Sequence, residues 1–245
     1  MQCWVVAGVL MVAGWAATGD ALGAGAGEGE GASAQEADSD RGNRVREIVA
    51  IWKHRDLAML AARAADRGAS PIVRVFAAYF LQIETGDIAQ LLASFPRAPG
   101  DLAFLSNWDG QLARVLAPEC TTETGQPRGC DPEGPRRTLT DLAASGNQTA
   151  VRVFVESWLA HPGDGGIADE VCAMAVKDIL ASQPALLLEA TARSIRASGL
   201  LVGCVQYDPM GADAHALSRL RLTPPATRLR NRIVREILHP RKDWP

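Results

Sequence analysis

From Asn43 onward one pattern recurs along the chain: a residue able to cap a helix, then apolar positions every three or four residues, then a glycine or proline stop. Apolar side chains at that spacing fall on one face of a helix and cannot line one face of a strand, so the pattern selects helices stacked through their apolar stripes. Asn43 can cap a helix whose apolar face is Val45, Ile48, Val49 and Trp52. Asp56 opens a second over 57–67, stopped by Gly68, and Ser70-Pro71 opens a third through Gln82 that buries Val75, Phe76, Tyr79 and Ile83. Gly86-Asp87 ends that helix and caps the next, with Ile88, Leu91, Leu92 and Phe95 apolar. The stretch 101–117 reads as a helical pair around Trp108. Further helices are expected over 140–145, 149–160, 167–181, 184–197, 212–222 and 226–238. Between the two groups, 118–137 is rich in proline and glycine and forms an irregular loop. Residues 200–207 (LLVGCVQY) alone have the composition of a strand, and a single strand has nothing to pair with, so a packed coil is expected there. The fold class is therefore all-α, either an irregular helical bundle or a short α-solenoid of stacked helix pairs, tied by disulfides.

The first 42 residues obey different rules. Residues 5–17 form an uncharged apolar run of thirteen, the size of a secretory signal core and short of the roughly 20 residues that cross a bilayer. Small residues follow, including Ala24-Gly25-Ala26, of the A-x-A form that signal peptidases cleave. The segment 27–42 is small, acidic and without apolar periodicity, too poor in buriable surface to offset its ordering entropy. The expected organisation is a signal peptide over 1–26, an acidic linker over 27–42 and a single helical domain over 43–245, exported to the periplasm or secreted, with no membrane span in the mature chain.

Export gives the cysteines a meaning. Cys3 precedes the apolar run, leaving Cys120, Cys130, Cys172 and Cys204, an even set that reads as two disulfides in an oxidising compartment. Of three possible pairings we favour Cys120–Cys130, closing the irregular loop, and Cys172–Cys204, tying a helix to the segment after Gly199. A zinc site would call for closely spaced cysteine or histidine pairs, and the sequence has none. His54, His161, His215 and His239 show no metal-binding or catalytic spacing, and His161 and His239, each before a proline, read as helix ends. The acidic group Asp164, Asp169 and Glu170 lacks the ligand alternation of a calcium loop and reads as turn chemistry. No catalytic, cofactor or metal residue is assigned.

Two segments align without gaps. Gly68 to Phe76 matches Gly146 to Phe154, sharing Val-Arg-Val-Phe at 73–76 and 151–154, and the match continues with Phe80 over Trp158 and Leu81 over Leu159. The stretch Pro71-x-Val73-Arg74-x-x-Ala77-Ala78-x-x-Leu81 resembles the second helix of a HEAT repeat, although glycine stands at 68 and 146 where that family usually carries aspartate. The resemblance implies stacked helix pairs, protein–protein binding on a curved surface, and polar contacts between repeats from Arg74 and Arg152.

Charge is also uneven. Six of the 28 acidic residues and none of the basic ones lie within 1–40, leaving the body mildly basic, too mildly to imply nucleic acid. Residues 216–245 hold Arg219, Arg221, Arg228, Arg230, Arg232, Arg235, Arg241 and Lys242 against Glu236 and Asp243. At about 100° per residue Arg228, Arg232 and Arg235 share a face opposite Leu229, Ile233 and Ile237, a surface suited to an acidic partner. Arg230 falls in the apolar arc and must snorkel outward or meet a buried carboxylate. These features point to a cell-envelope module that binds a protein partner, in the manner of an immunity protein or inhibitor. The competing classes are an enzyme whose site assembles from distant residues and a purely structural envelope protein.

Overall fold

The computed structural model describes residues 43–97, 134–159, 171–207 and 212–239. These all belong to the second of two units into which the chain divides, 1–38 and 39–245. Every regular element among the described residues is helical, as the periodicity requires.

Helix α1 covers 43–53 and buries Val45, Ile48 and Val49. Asn43 is already helical, so it is not the cap; its side-chain oxygen instead lies 3.4 Å from Arg46 Nη1. The helix ends in a paired carbonyl cap, Asp56 N–H to Ile51 O and Arg55 N–H to Trp52 O, with Arg55 in the left-handed region at φ 56°. Asp56 then caps α2 (Leu57–Ala65) by accepting from Met59 N–H at 2.9 Å, as expected. This helix stops at Asp66, before the expected glycine, because Asp66 turns extended and accepts the Gly68 N–H.

Helix α3 (Pro71–Thr85) is the hub of the first half, burying an unbroken run from Ile72 to Leu81 apart from half-buried Arg74. It runs past Gln82 to a left-handed Gly86, and Ile83, on the same side as Phe76 but in the last turn, is left exposed, contrary to its expected burial. Trp52 of α1 stacks on Phe80 at 4.6 Å while its indole N–H reaches Glu84 at 2.9 Å. Asp87 caps α4 (Ile88–Ser94), which buries Leu91 and Leu92, with Phe95 buried just beyond its end. Residues 98–133, which hold the expected pair around Trp108 and most of the irregular loop, lie outside the described residues.

The second half begins earlier than the loop assignment allowed. Helix α5 (Gly134–Ala144) takes in residues 134–137, with Gly134 pressed against the Tyr79 hydroxyl so closely that a Cβ would stand 2.2 Å from it. Proline and glycine there mark a helix start packed on α3 and not more loop. Helix α6 (Gln148–Phe154) continues directly into a π-helical turn, Val155–Leu159, which aims Ser157 and Trp158 inward. Ser157 is fully buried and donates to Pro96 O at 2.6 Å, tying this turn to the end of the first half. A second π turn, Val171–Val176, leads into Lys177–Ser182, together α7.

The expected helix over 184–197 is two helices. Helix α8 (Pro184–Thr191) ends in a short turn, and α9 (Ile195–Tyr207) restarts with Ser194 Oγ accepting from Ala197 N–H. Residues 200–207 are thus helical and not coil. Ala197, Leu201, Val202, Cys204 and Val205 are buried on one stripe, and that burial overrides the poor propensity of Gly199 and Gly203. Cys172 in the second π turn is disulfide-bonded to Cys204 of α9, their Cα atoms 5.1 Å apart. A bridge between cysteines 32 residues apart stabilises by roughly 2–4 kcal/mol. Cys120 and Cys130 lie outside the described residues. Helix α10 (Ala214–Ser218) is capped by Asp213, whose carboxylate is held below its ordinary range by the Ala216 and His215 backbone N–H groups. Helix α11 (Pro224–Leu238) packs on α8, α9 and α10.

Candidate functional site

Helix α11 begins at a Thr-Pro-Pro step, where proline needs no donor and fixes the first turn. Its start is fastened to α8: Glu189 accepts from both the N–H and the hydroxyl of Thr223 at 2.6 Å. Ala226, Leu229 and Ile233 are buried and Ile237 packs against the core, so the apolar arc faces inward as the periodicity predicts. Arg228, Arg232 and Arg235 are consequently exposed together, and among the described residues none of them has a hydrogen-bond or ion-pair partner. Arg230 takes a third route, distinct from snorkelling or a buried carboxylate. Its guanidinium donates to Leu220 O at 2.7 Å and Ser218 O at 3.2 Å, satisfying carbonyls at the end of α10, and to Asn231 Oδ1. Arg230 is therefore structural, and the exposed face is a three-arginine surface.

A second feature needs residues far apart in sequence. Between α6 and α8 lies a cleft of about 580 Å³ whose walls carry Arg97, Arg152 and Arg193 with Glu156 and Glu189. A shallower depression of about 370 Å³ shares Arg97 and Thr149 with it and is floored by Ile88 and Leu92 of α4. The charges are not equally committed. Arg97 pairs with Glu156 at 3.4 Å, and Glu189 is taken by Thr223. Arg152 and Arg193 are exposed and have no partner among the described residues.

The polar inter-repeat contacts implied for Arg74 and Arg152 are not what the described residues show. Arg152 opens into the cleft, and Arg74 is half-buried with its Nε lacking a hydrogen-bond partner. Sequence reading missed the cleft because its residues come from separate helices and carry no common spacing; the arginine shared by the two Val-Arg-Val-Phe segments was the one available signal.

The described histidines do not converge. His54 and His239 are exposed at helix ends, His215 Nε2 lies 2.6 Å from Arg219 Nη2, and His161 is outside the described residues, as are Asp164, Asp169 and Glu170. Among the described residues no group of three or more His, Cys, Asp or Glu is arranged to hold a metal ion, and no helix is long and apolar enough to cross a membrane. Comparison with protein-family models, with curated proteins and with solved structures found no match to this chain.

Proposed function

We propose that this chain is an exported protein-binding module of the cell envelope, acting as an immunity-type or inhibitor protein that recognises an acidic partner through α11. The observation that carries the reading is the exposed row Arg228, Arg232 and Arg235, three cations on a helix whose other face is locked into the core and whose start is pinned by Glu189. A rigid helix holding unpaired arginines is preorganised: little further order is lost when carboxylates bind, and guanidinium forks suit carboxylates geometrically. The Cys172–Cys204 disulfide supports export, since such bonds persist in oxidising compartments, and the thirteen-residue apolar run supports it independently. The HEAT-like reading is supported by the two helix pairs, α2–α3 and α5–α6, each carrying Val-Arg-Val-Phe at the start of its second helix.

The test is affinity capture from the envelope fraction at low salt with the wild-type chain and with a variant carrying R228Q, R232Q and R235Q. The wild type should retain an acidic protein that dissociates as salt rises, and the variant should bind it about tenfold or more weakly with an unchanged circular dichroism spectrum. Equal affinity for that partner rejects the reading.

A further inference from the structure

We infer that the cleft between α6 and α8, with its extension over α4, is a second binding site, built for an extended acidic-apolar peptide segment of a partner protein. The inference rests on the reading of the chain as a protein-binding module but on different residues. Charge accounting is its basis. Of the five charged side chains in the cleft, Arg97 pairs with Glu156, and both oxygens of Glu189 accept from the uncharged donors of Thr223. That carboxylate keeps its charge while its acceptors are committed, and the three arginines still outnumber the two glutamates. Arg152 and Arg193, one from each wall, are left facing a shared space of about 580 Å³ with no ion-pair partner among the described residues. The complement of two uncommitted arginines across a cleft is a pair of carboxylates held between them, since each guanidinium offers a fork of donors.

Shape adds the second element. The depression over α4 continues from the cleft through Arg97 and Thr149, and its floor is Ile88 and Leu92 with Ala93 at the edge. A peptide whose acidic residues engage Arg152 and Arg193 would pass Arg97 and place an apolar side chain on that floor. A small anion would leave the apolar end empty, and an uncharged apolar peptide would leave the arginines unpaired, so a segment carrying both kinds of side chain fits the whole depression. Arg152 sits on α6 between the buried Val151 and Val153, and Arg193 lies in the short turn between α8 and α9, next to the buried Thr191.

The experiment uses the full chain and a fluorescein-labelled hexapeptide containing three glutamates and two leucines, with the matching peptide in which glutamine replaces glutamate. Fluorescence anisotropy should show the glutamate peptide binding about tenfold or more tightly than the glutamine peptide. R152Q with R193Q should remove that difference, and A93W, which fills the apolar end and removes no charge, should weaken the glutamate peptide. The R228Q, R232Q and R235Q variant should bind the hexapeptide as the wild type does, which separates this site from α11. Equal binding of the two peptides, or full affinity in the R152Q, R193Q chain, overturns the cleft assignment. Loss of hexapeptide binding only in the α11 variant likewise overturns it while leaving the α11 reading intact.

Discussion

The helix pairs α2–α3 and α5–α6 carry the same nine-residue register, Gly68 to Phe76 and Gly146 to Phe154, yet they turn their corners by different chemistry. In the first, Gly68 is not left-handed; Asp66 accepts its N–H, and the next helix starts on Pro71 without a side-chain bond from Ser70. In the second, Gly146 sits at φ 93°, its N–H reaching Ala143 O and the Asn147 N–H reaching Leu142 O, and Asn147 then caps α6. Beyond the shared motif α3 runs on regularly to Thr85, while α6 widens into a π turn at Val155. Val73, Val75 and Phe76 are buried, as are Val151, Val153 and Phe154. Apolar spacing thus sets which face goes inward, while local polar groups set how the chain enters and leaves.

The largest expected effects are the ones the two pairs share. Phe76 is fully buried and Phe154 is 1% exposed, so Phe76→Ala and Phe154→Ala should each cost about 3–5 kcal/mol through lost burial and the cavity left behind. Urea denaturation of both variants measures this. A cost near zero at either position would break the equivalence of the two faces at its strongest point.

The glycines should separate the pairs. Gly146→Ala places a Cβ on a left-handed residue and 3.3 Å from the Gln183 amide, so it should cost about 1–2 kcal/mol. Gly68→Ala meets only Asp66 Oδ1 at 3.3 Å, a side-chain oxygen in an ordinary backbone region, and should change stability by less than about 0.5 kcal/mol. Equal costs would mean that the two turns are interchangeable after all.

Much of this architecture is legible in the residues. The caps at Asp56, Asp87 and Asn147, the stop at Gly86 and the inward stripe of α11 follow from side-chain chemistry acting within one turn, which is where sequence speaks most directly. What escapes is whatever depends on distant neighbours. Residues 200–207 hold Val202, Gly203 and Val205, which disfavour a helix locally, and they are helical because Leu201, Val202, Cys204 and Val205 bury against other elements and Cys204 bonds Cys172. Arg230 was expected to snorkel outward or meet a buried carboxylate and instead caps carbonyls of α10, which come near only once α11 has folded back. The row Arg228, Arg232 and Arg235 follows from helical periodicity alone. The cleft does not, because Arg152 and Arg193 meet only through the packing of α8 on α6.

The smallest expected difference, and the finest probe of the comparison, lies at the two helix starts. Asn147 Oδ1 accepts from Ala150 N–H at 3.0 Å, satisfying one donor that the first turn of α6 cannot pair internally. Asn147→Ala removes that acceptor and should cost about 1 kcal/mol. Ser70 occupies the same position before α3 but makes no such bond, and its hydroxyl oxygen is buried without a partner among the described residues. Pro71 has no N–H to satisfy and presets the first helical φ, so α3 begins well without the hydroxyl. Ser70→Ala should therefore leave stability within about 0.5 kcal/mol, with any change toward greater stability, because a buried unpaired oxygen is removed. Asn147→Asp keeps the acceptor and should retain most of the wild-type stability at neutral pH, which ties the Asn147 effect to the hydrogen bond and not to side-chain volume. Denaturation midpoints at constant slope decide the matter. If Ser70→Ala costs as much as Asn147→Ala, both helices are started by side-chain capping, and the distinction drawn between the two turns fails at their second corner.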